Sequence, residues 1–233
     1  MHQHRRTSEQ SRSHHSTLPA TLLERWVVAT VFSQMICFVL IVAFVISTRN
    51  TSLNPYLWLT LLGSVEGIVL GCSQWLVLRQ HLRHAGWWIL ATFVGAVIAW
   101  VTGLLITNLL AIATASTPPG HQAIQFIPGL ILQGVGVGLF IGYAQWLVLQ
   151  YHIRRQFLRK VFGWLGANAL AWVLALAIAV LGVGRLEISQ FHLRTAVGAA
   201  IIGGTMGLIL GIVTGIALIR VLKPDVVEGG RFS

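Results

Sequence analysis

Glu66 is the residue in this sequence that most asks for chemistry. It lies near the middle of the apolar stretch 57–78, and it is the only one of the chain's 6 acidic residues to fall inside such a stretch. A charged acid at the centre of a membrane helix costs on the order of 2.5–3.5 kcal/mol on insertion scales. Acids at that depth therefore serve as ion or proton sites, or hydrogen-bond to a neighbouring helix. At 100° per residue Glu66 shares an arc with Gly63, Gly67, Gly71, Ser73 and Gln74, so this arc should face protein.

The other candidates for chemistry are weaker. His81 and His152 occupy equivalent places after two similar blocks, but they stand among Arg79, Arg83, Arg154 and Arg155. Basic groups there complement a helix C-terminus, and a ligand pair is the lesser reading. Cys37 and Cys72 lie in apolar stretches, where a thiol acts as a small hydrophobe. No Cys/His cluster has metal-ligand spacing, so no metal and no cofactor is expected. There is no GxSxG, HExxH, P-loop or dinucleotide fingerprint, and neither lysine lies in mid-stretch. The expectation is a protein that is not an enzyme.

The elements that must position Glu66 follow from composition. Of the 233 residues 55% are apolar and only 9% charged, with mean hydropathy +0.77. A soluble fold of this size could not cover its surface with so few polar side chains. Six apolar stretches run approximately 26–47, 57–78, 87–113, 126–150, 161–183 and 196–222. Each is long enough to span the roughly 30 Å hydrocarbon core, and in lipid each must be helical to satisfy its own backbone. The fold class is therefore all-α: a polytopic membrane protein with six transmembrane helices. Residues 1–24 read as a flexible polar tail, 25–223 as the membrane domain and 224–233 as a short C-terminal tail.

The charge of +10 has a topological reading. Thirteen of the 16 Lys and Arg residues fall on the side of the N-terminus: in the tail, in the second and fourth connections, and at the C-terminus. Only Arg49, Arg185 and Arg194 fall on the other side. The positive-inside rule then predicts both termini in the cytoplasm, which an even number of spans permits. No nucleic-acid partner is expected.

Beneath the hydropathy lies a repeat. Residues 67–78 read GIVLGCSQWLVL and residues 138–149 read GLFIGYAQWLVL, with a degenerate third copy, GLILGIVTGIAL, at 207–218. Glycines recur in register at Gly63, Gly67 and Gly71, at Gly134, Gly138 and Gly142, and at Gly203, Gly207, Gly211 and Gly215. The odd spans share a shorter motif, Trp-x-x-Ala-[Thr/Asn], at 26–30, 88–92 and 164–168. The unit is a helical hairpin used three times, over about 25–80, 87–152 and 161–223, in a pseudo-threefold arrangement. Small residues let helix backbones approach in lipid, so the glycine stripes predict close packing of spans two, four and six, with the odd spans outside.

Three further groups complete the expectation. Gln74 and Gln145 stand at the same depth as Thr30, Thr92 and Asn168, and should hydrogen-bond between even and odd helices. Trp26, Trp75, Trp88, Trp146 and Trp164 fall at predicted cytoplasmic ends and read as interface anchors. Arg154, Arg155, Arg159 and Lys160 form a basic amphipathic stretch suited to anionic lipid headgroups. The expected partners are membrane lipids, with a membrane-protein partner or a homo-oligomer beside them.

The repeated GxxxGxxQWLVL block, joined to the WxxA[T/N] motif, resembles a group of bacterial, cyanobacteria-like multi-spanning membrane proteins. The resemblance covers roughly residues 25–222, and its Gln-Trp-Leu-Val-Leu blocks are the most specific part. Span six departs from it with Thr214-Gly215. It implies a bacterial inner membrane and the same topology, and brings no activity with it. The resulting expectation is a helix-packing or interaction protein; the alternative is a small ion or solute transporter or channel using Glu66.

Overall fold

The computed structural model describes residues 3–48, 50, 55–114, 119–152, 157–186 and 191–222, with side chains over most of these from residue 20 onward. Six helices follow one another: α1 (Gln3–Thr48), α2 (Pro55–Leu78), α3 (Trp87–Thr114), α4 (Pro119–Leu149), α5 (Phe157–Val183) and α6 (Leu193–Leu222). A short 3-10 turn, Gln150–His152, follows α4. All six helices are long and apolar enough to cross a membrane. The described residues contain no strand.

The helices run beyond the apolar stretches that announce them. Hydropathy sees only the part of a helix that enters hydrocarbon, whereas backbone hydrogen bonding continues into the polar flanks. Thus α4 starts at Pro119 and carries Pro128 within it. Both α2 and α4 open on a proline, whose fixed φ and missing N–H cost nothing at a first helical position. The helix of α1 extends back to Gln3, through most of the segment 1–24 expected to be a flexible tail.

The principal helix contacts form a closed ring in chain order, each helix touching its sequence neighbours and α6 meeting α1. This corrects the expected packing of spans two, four and six among themselves with odd spans outside. The glycine stripes of the even helices face odd helices instead. A Cβ on Gly67 would lie 2.7 Å from Ala96 Cβ and 3.0 Å from Phe93 Cα of α3. One on Gly138 would lie 2.5 Å from both Ala169 Cα and Asn168 O of α5. One on Gly207 would lie 2.7 Å from Val31 Cα of α1. A glycine stripe can seat the backbone of one neighbour, and the neighbour chosen is the next odd helix, with α6 closing onto α1. The pairs α2–α3, α4–α5 and α6–α1 therefore join adjacent predicted hairpins rather than lying within them.

Two apolar cores fill the ring. One gathers Trp26, Trp88, Trp146 and Trp164 with Leu78, Leu149 and Leu218. The other gathers Phe38, Leu70, Ile141, Trp172, Met206 and Leu210. The outward faces are apolar too: Phe32, Leu105, Ile112, Phe162, Leu181 and Ile201 are all exposed. So large an exposed apolar surface is what lipid contact requires and water would penalise.

Candidate functional site

A layer of buried polar side chains lies at the centre of the bundle: Thr30, Gln74, Thr92, Gln145, Asn168 and Thr214. Three tryptophans close one side of it. Trp26, Trp88 and Trp164 are fully buried. Trp88 meets Trp26 edge-on at 5.9 Å between ring centroids and Trp164 at 6.1 Å. Such T-shaped contacts set the positive ring edge against the negative face.

Each indole N–H reaches an acceptor on an even helix. Trp26 Nε1 donates to Thr214 Oγ1 at 3.0 Å, and Trp88 Nε1 to Gln74 Oε1 at 3.0 Å. Trp164 Nε1 donates to the Gly142 carbonyl at 2.9 Å. One turn on, Thr30, Thr92 and Asn168 each donate back to the carbonyl of the tryptophan four residues earlier, at 2.8, 2.8 and 3.0 Å. Gln145 ties the layer together, its Nε2 donating to Gln74 Oε1 at 3.2 Å and to Thr92 Oγ1 at 3.1 Å. Of the expected pairings the bond from Gln145 to Thr92 is present; Gln74 accepts instead from Trp88 and from Gln145. Thr30 and Asn168 bond instead to their own helix, because a hydroxyl or amide in a helix can reach the carbonyl one turn back.

The tryptophans expected at the lipid interface are placed differently. Trp26, Trp88, Trp146 and Trp164 are buried in the core. Trp75 is half-buried, with the Arg79 guanidinium over its ring at 5.5 Å. The physical reason is register. Trp26, Trp88 and Trp164 stand one turn before Thr30, Thr92 and Asn168, on the same helix face. That face looks inward.

The polar layer encloses a cavity of only about 10 Å³, lined by Thr30, Gln74, Gln145, Asn168, Trp172 and Thr214 among others. That is the lower limit for one water molecule. The layer is a hydrogen-bonded plug.

Glu66 stands elsewhere, at the level of the second core. It is buried, and its Oε2 accepts from Trp100 Nε1 at 3.2 Å. Gly63 makes this possible: a Cβ there would lie 1.9 Å from Trp100 Cδ1, so only glycine leaves room for the indole. Gln34 of α1 faces the same carboxyl, though its Nε2 does not reach full hydrogen-bond geometry. Cys37, also buried, lies near the carboxyl. Trp100 and Gln34 were not foreseen beside Glu66; they come from two other helices, and nothing local in the sequence links them. Glu66 does not line the cavity of the polar layer.

The remaining candidates are simply placed. His81 is exposed, and its ring Nδ1 is 3.1 Å from the Val77 carbonyl, a local contact one turn back. Among the described residues no group of three or more His, Cys, Asp or Glu could hold a metal ion. Arg159 is exposed and Lys160 half-buried at the start of α5. Arg154 and Arg155 lie outside the described residues, as does the side chain of His152. Comparison with protein-family models, with curated proteins and with solved structures found no match.

Proposed function

We propose that this chain is a non-enzymatic protein of a bacterial cytoplasmic membrane, whose bundle serves packing and contact with lipids and membrane-protein partners. Three helical hairpins would be arranged with pseudo-threefold symmetry, with both termini on the cytoplasmic side. The observation that carries the reading is the filled centre. Equivalent tryptophans and polar side chains bond to one another there and leave about 10 Å³. A conduction path needs a polar cavity that can open, and this one is closed by its own hydrogen bonds. The glycine stripes and the matched tryptophans support the repeat, and the distribution of Lys and Arg supports the orientation.

The test is flux. In proteoliposomes the protein should carry no proton, sodium or potassium current above that of protein-free vesicles, and Glu66→Gln should not alter the trace. A flux that the protein adds and that substitution removes would overturn the reading. It would favour a small transporter using Glu66, for which the support is a buried acid at a position where the other two repeats hold Val137 and Met206. A reporter fused between residues 114 and 125 should read external.

A further inference from the structure

A groove of about 890 Å³ lies between α3 and α4, beside the connection from α2 to α3. At Gly95 the backbones touch, since a Cβ there would lie 2.9 Å from Ile141 Cα. Toward the connection, Ala91 of α3 and Ala144 and Val148 of α4 line the groove with small side chains. The walls are otherwise Leu90, Val94 and Leu147. Polar groups gather only at one end, where Arg83, His84, Trp87 and Tyr151 form the rim.

That rim is held in place. His84 has φ 57°, the one non-glycine residue in the left-handed region among those described. Leu82 and Ala85 on either side of the Arg83–His84 pair are buried in the core, and Trp87 N donates to the His84 carbonyl at 3.1 Å. The turn is anchored from within, and Arg83 and His84 stand exposed at the groove. A strained conformation of this kind persists only where its surroundings enforce it.

We propose that this groove holds one anionic phospholipid, its acyl chains along the apolar walls and its phosphate at Arg83 and His84. The charge pattern selects the occupant. No acidic residue lines the groove. A guanidinium and an imidazole offer hydrogen bonds to phosphate oxygens, and Trp87 and Tyr151 are the side chains that favour headgroup depth. Polarity is confined to one end of an otherwise apolar groove, the pattern of an amphiphile. The volume falls within the roughly 300–1,000 Å³ of ordinary ligand sites. The inference rests on the six helices lying in a bilayer and is independent of transport.

Native mass spectrometry of the full chain in detergent, titrated with phosphatidylglycerol or phosphatidylcholine, tests it. The wild type should retain phosphatidylglycerol about fivefold better, the worth of one basic residue near an anionic headgroup. Arg83→Gln should erase that preference, and Arg220→Gln, at the far end of α6, should leave it intact. Leu147→Trp, which fills the groove from an exposed position, should lower retention of both lipids. Equal retention of the two lipids by the wild type would overturn the proposal, as would retention unchanged in both groove variants. A disulfide between two copies through Leu147→Cys would also overturn it, because the occupant would then be protein. An Arg83→Gln variant that melts as the wild type does keeps its result interpretable if Leu147→Trp fails to fold. The flux and reporter experiments can fail without touching this one.

Discussion

The polar layer and the Glu66 site place polar groups in the same bundle by opposite means. In the layer, three tryptophans at one register each find an acceptor, and three Thr or Asn side chains each bond back one turn. At Glu66 one acid meets one indole, and the nearby Gln34 amide nitrogen is left without a partner. The corresponding positions of α4 and α6 hold the buried apolar residues Val137 and Met206. The comparison teaches which polar groups the fold needs. What recurs on α1, α3 and α5 holds the helices together; what occurs once serves another purpose, or is tolerated because Trp100 satisfies it.

The largest effect should come from the recurring set. Trp88 is fully buried, touches both other tryptophans and bonds Gln74. Trp88→Ala should cost about 3–5 kcal/mol, the usual range for a core aromatic, read as a drop in stability to denaturing detergent or heat. A loss no greater than that of an outward-facing substitution such as Phe162→Ala would show that the tryptophan cluster does not hold the bundle together.

Glycine positions sharpen the comparison within one helix. Gly138 sits against the α5 backbone, whereas Gly136 has nothing within 4 Å of its missing Cβ. Gly138→Leu should destabilise by about 1–3 kcal/mol or more, because a backbone neighbour cannot move aside as a side chain can. Gly136→Leu should be neutral or slightly stabilising through helix propensity. Equal effects at the two positions would mean that α4 and α5 do not approach as described.

The same contrast explains what could be read beforehand. Six helices were legible because apolar length and low charge leave little alternative. The glycine stripes were legible as contact faces, since a period of four marks one face. Their partners were not, because whether Gly138 meets another even helix or Asn168 and Ala169 depends on how the ring closes, which no local spacing encodes. The tryptophans were misassigned on a general preference for headgroups. Their spacing of four from Thr30, Thr92 and Asn168 was the available signal that they face inward. The partnership of Glu66 with Trp100 was hidden for a different reason: it joins positions far apart in sequence through the single space that Gly63 leaves.

Among the destabilising substitutions Glu66→Gln should show the smallest loss, and comparison with Glu66→Val separates charge from hydrogen bonding. Glu66→Val installs what α4 carries at the corresponding position, Val137, but leaves the Trp100 N–H without its acceptor. An unsatisfied buried donor costs about 1–3 kcal/mol. Glu66→Gln keeps an acceptor oxygen for Trp100 and offers Gln34 a neutral partner. Its cost should stay near the roughly 0.6 kcal/mol average of interhelical hydrogen bonds in membrane proteins. Both are read from the same unfolding curves. If Glu66→Gln destabilised as much as Trp88→Ala, the carboxylate would belong with the structural set, and the distinction between recurring and singular polar groups would fail. If both substitutions left stability unchanged, Trp100 would be satisfied without Glu66. The acid would then be free of any structural duty, and the flux measurement would become the deciding one.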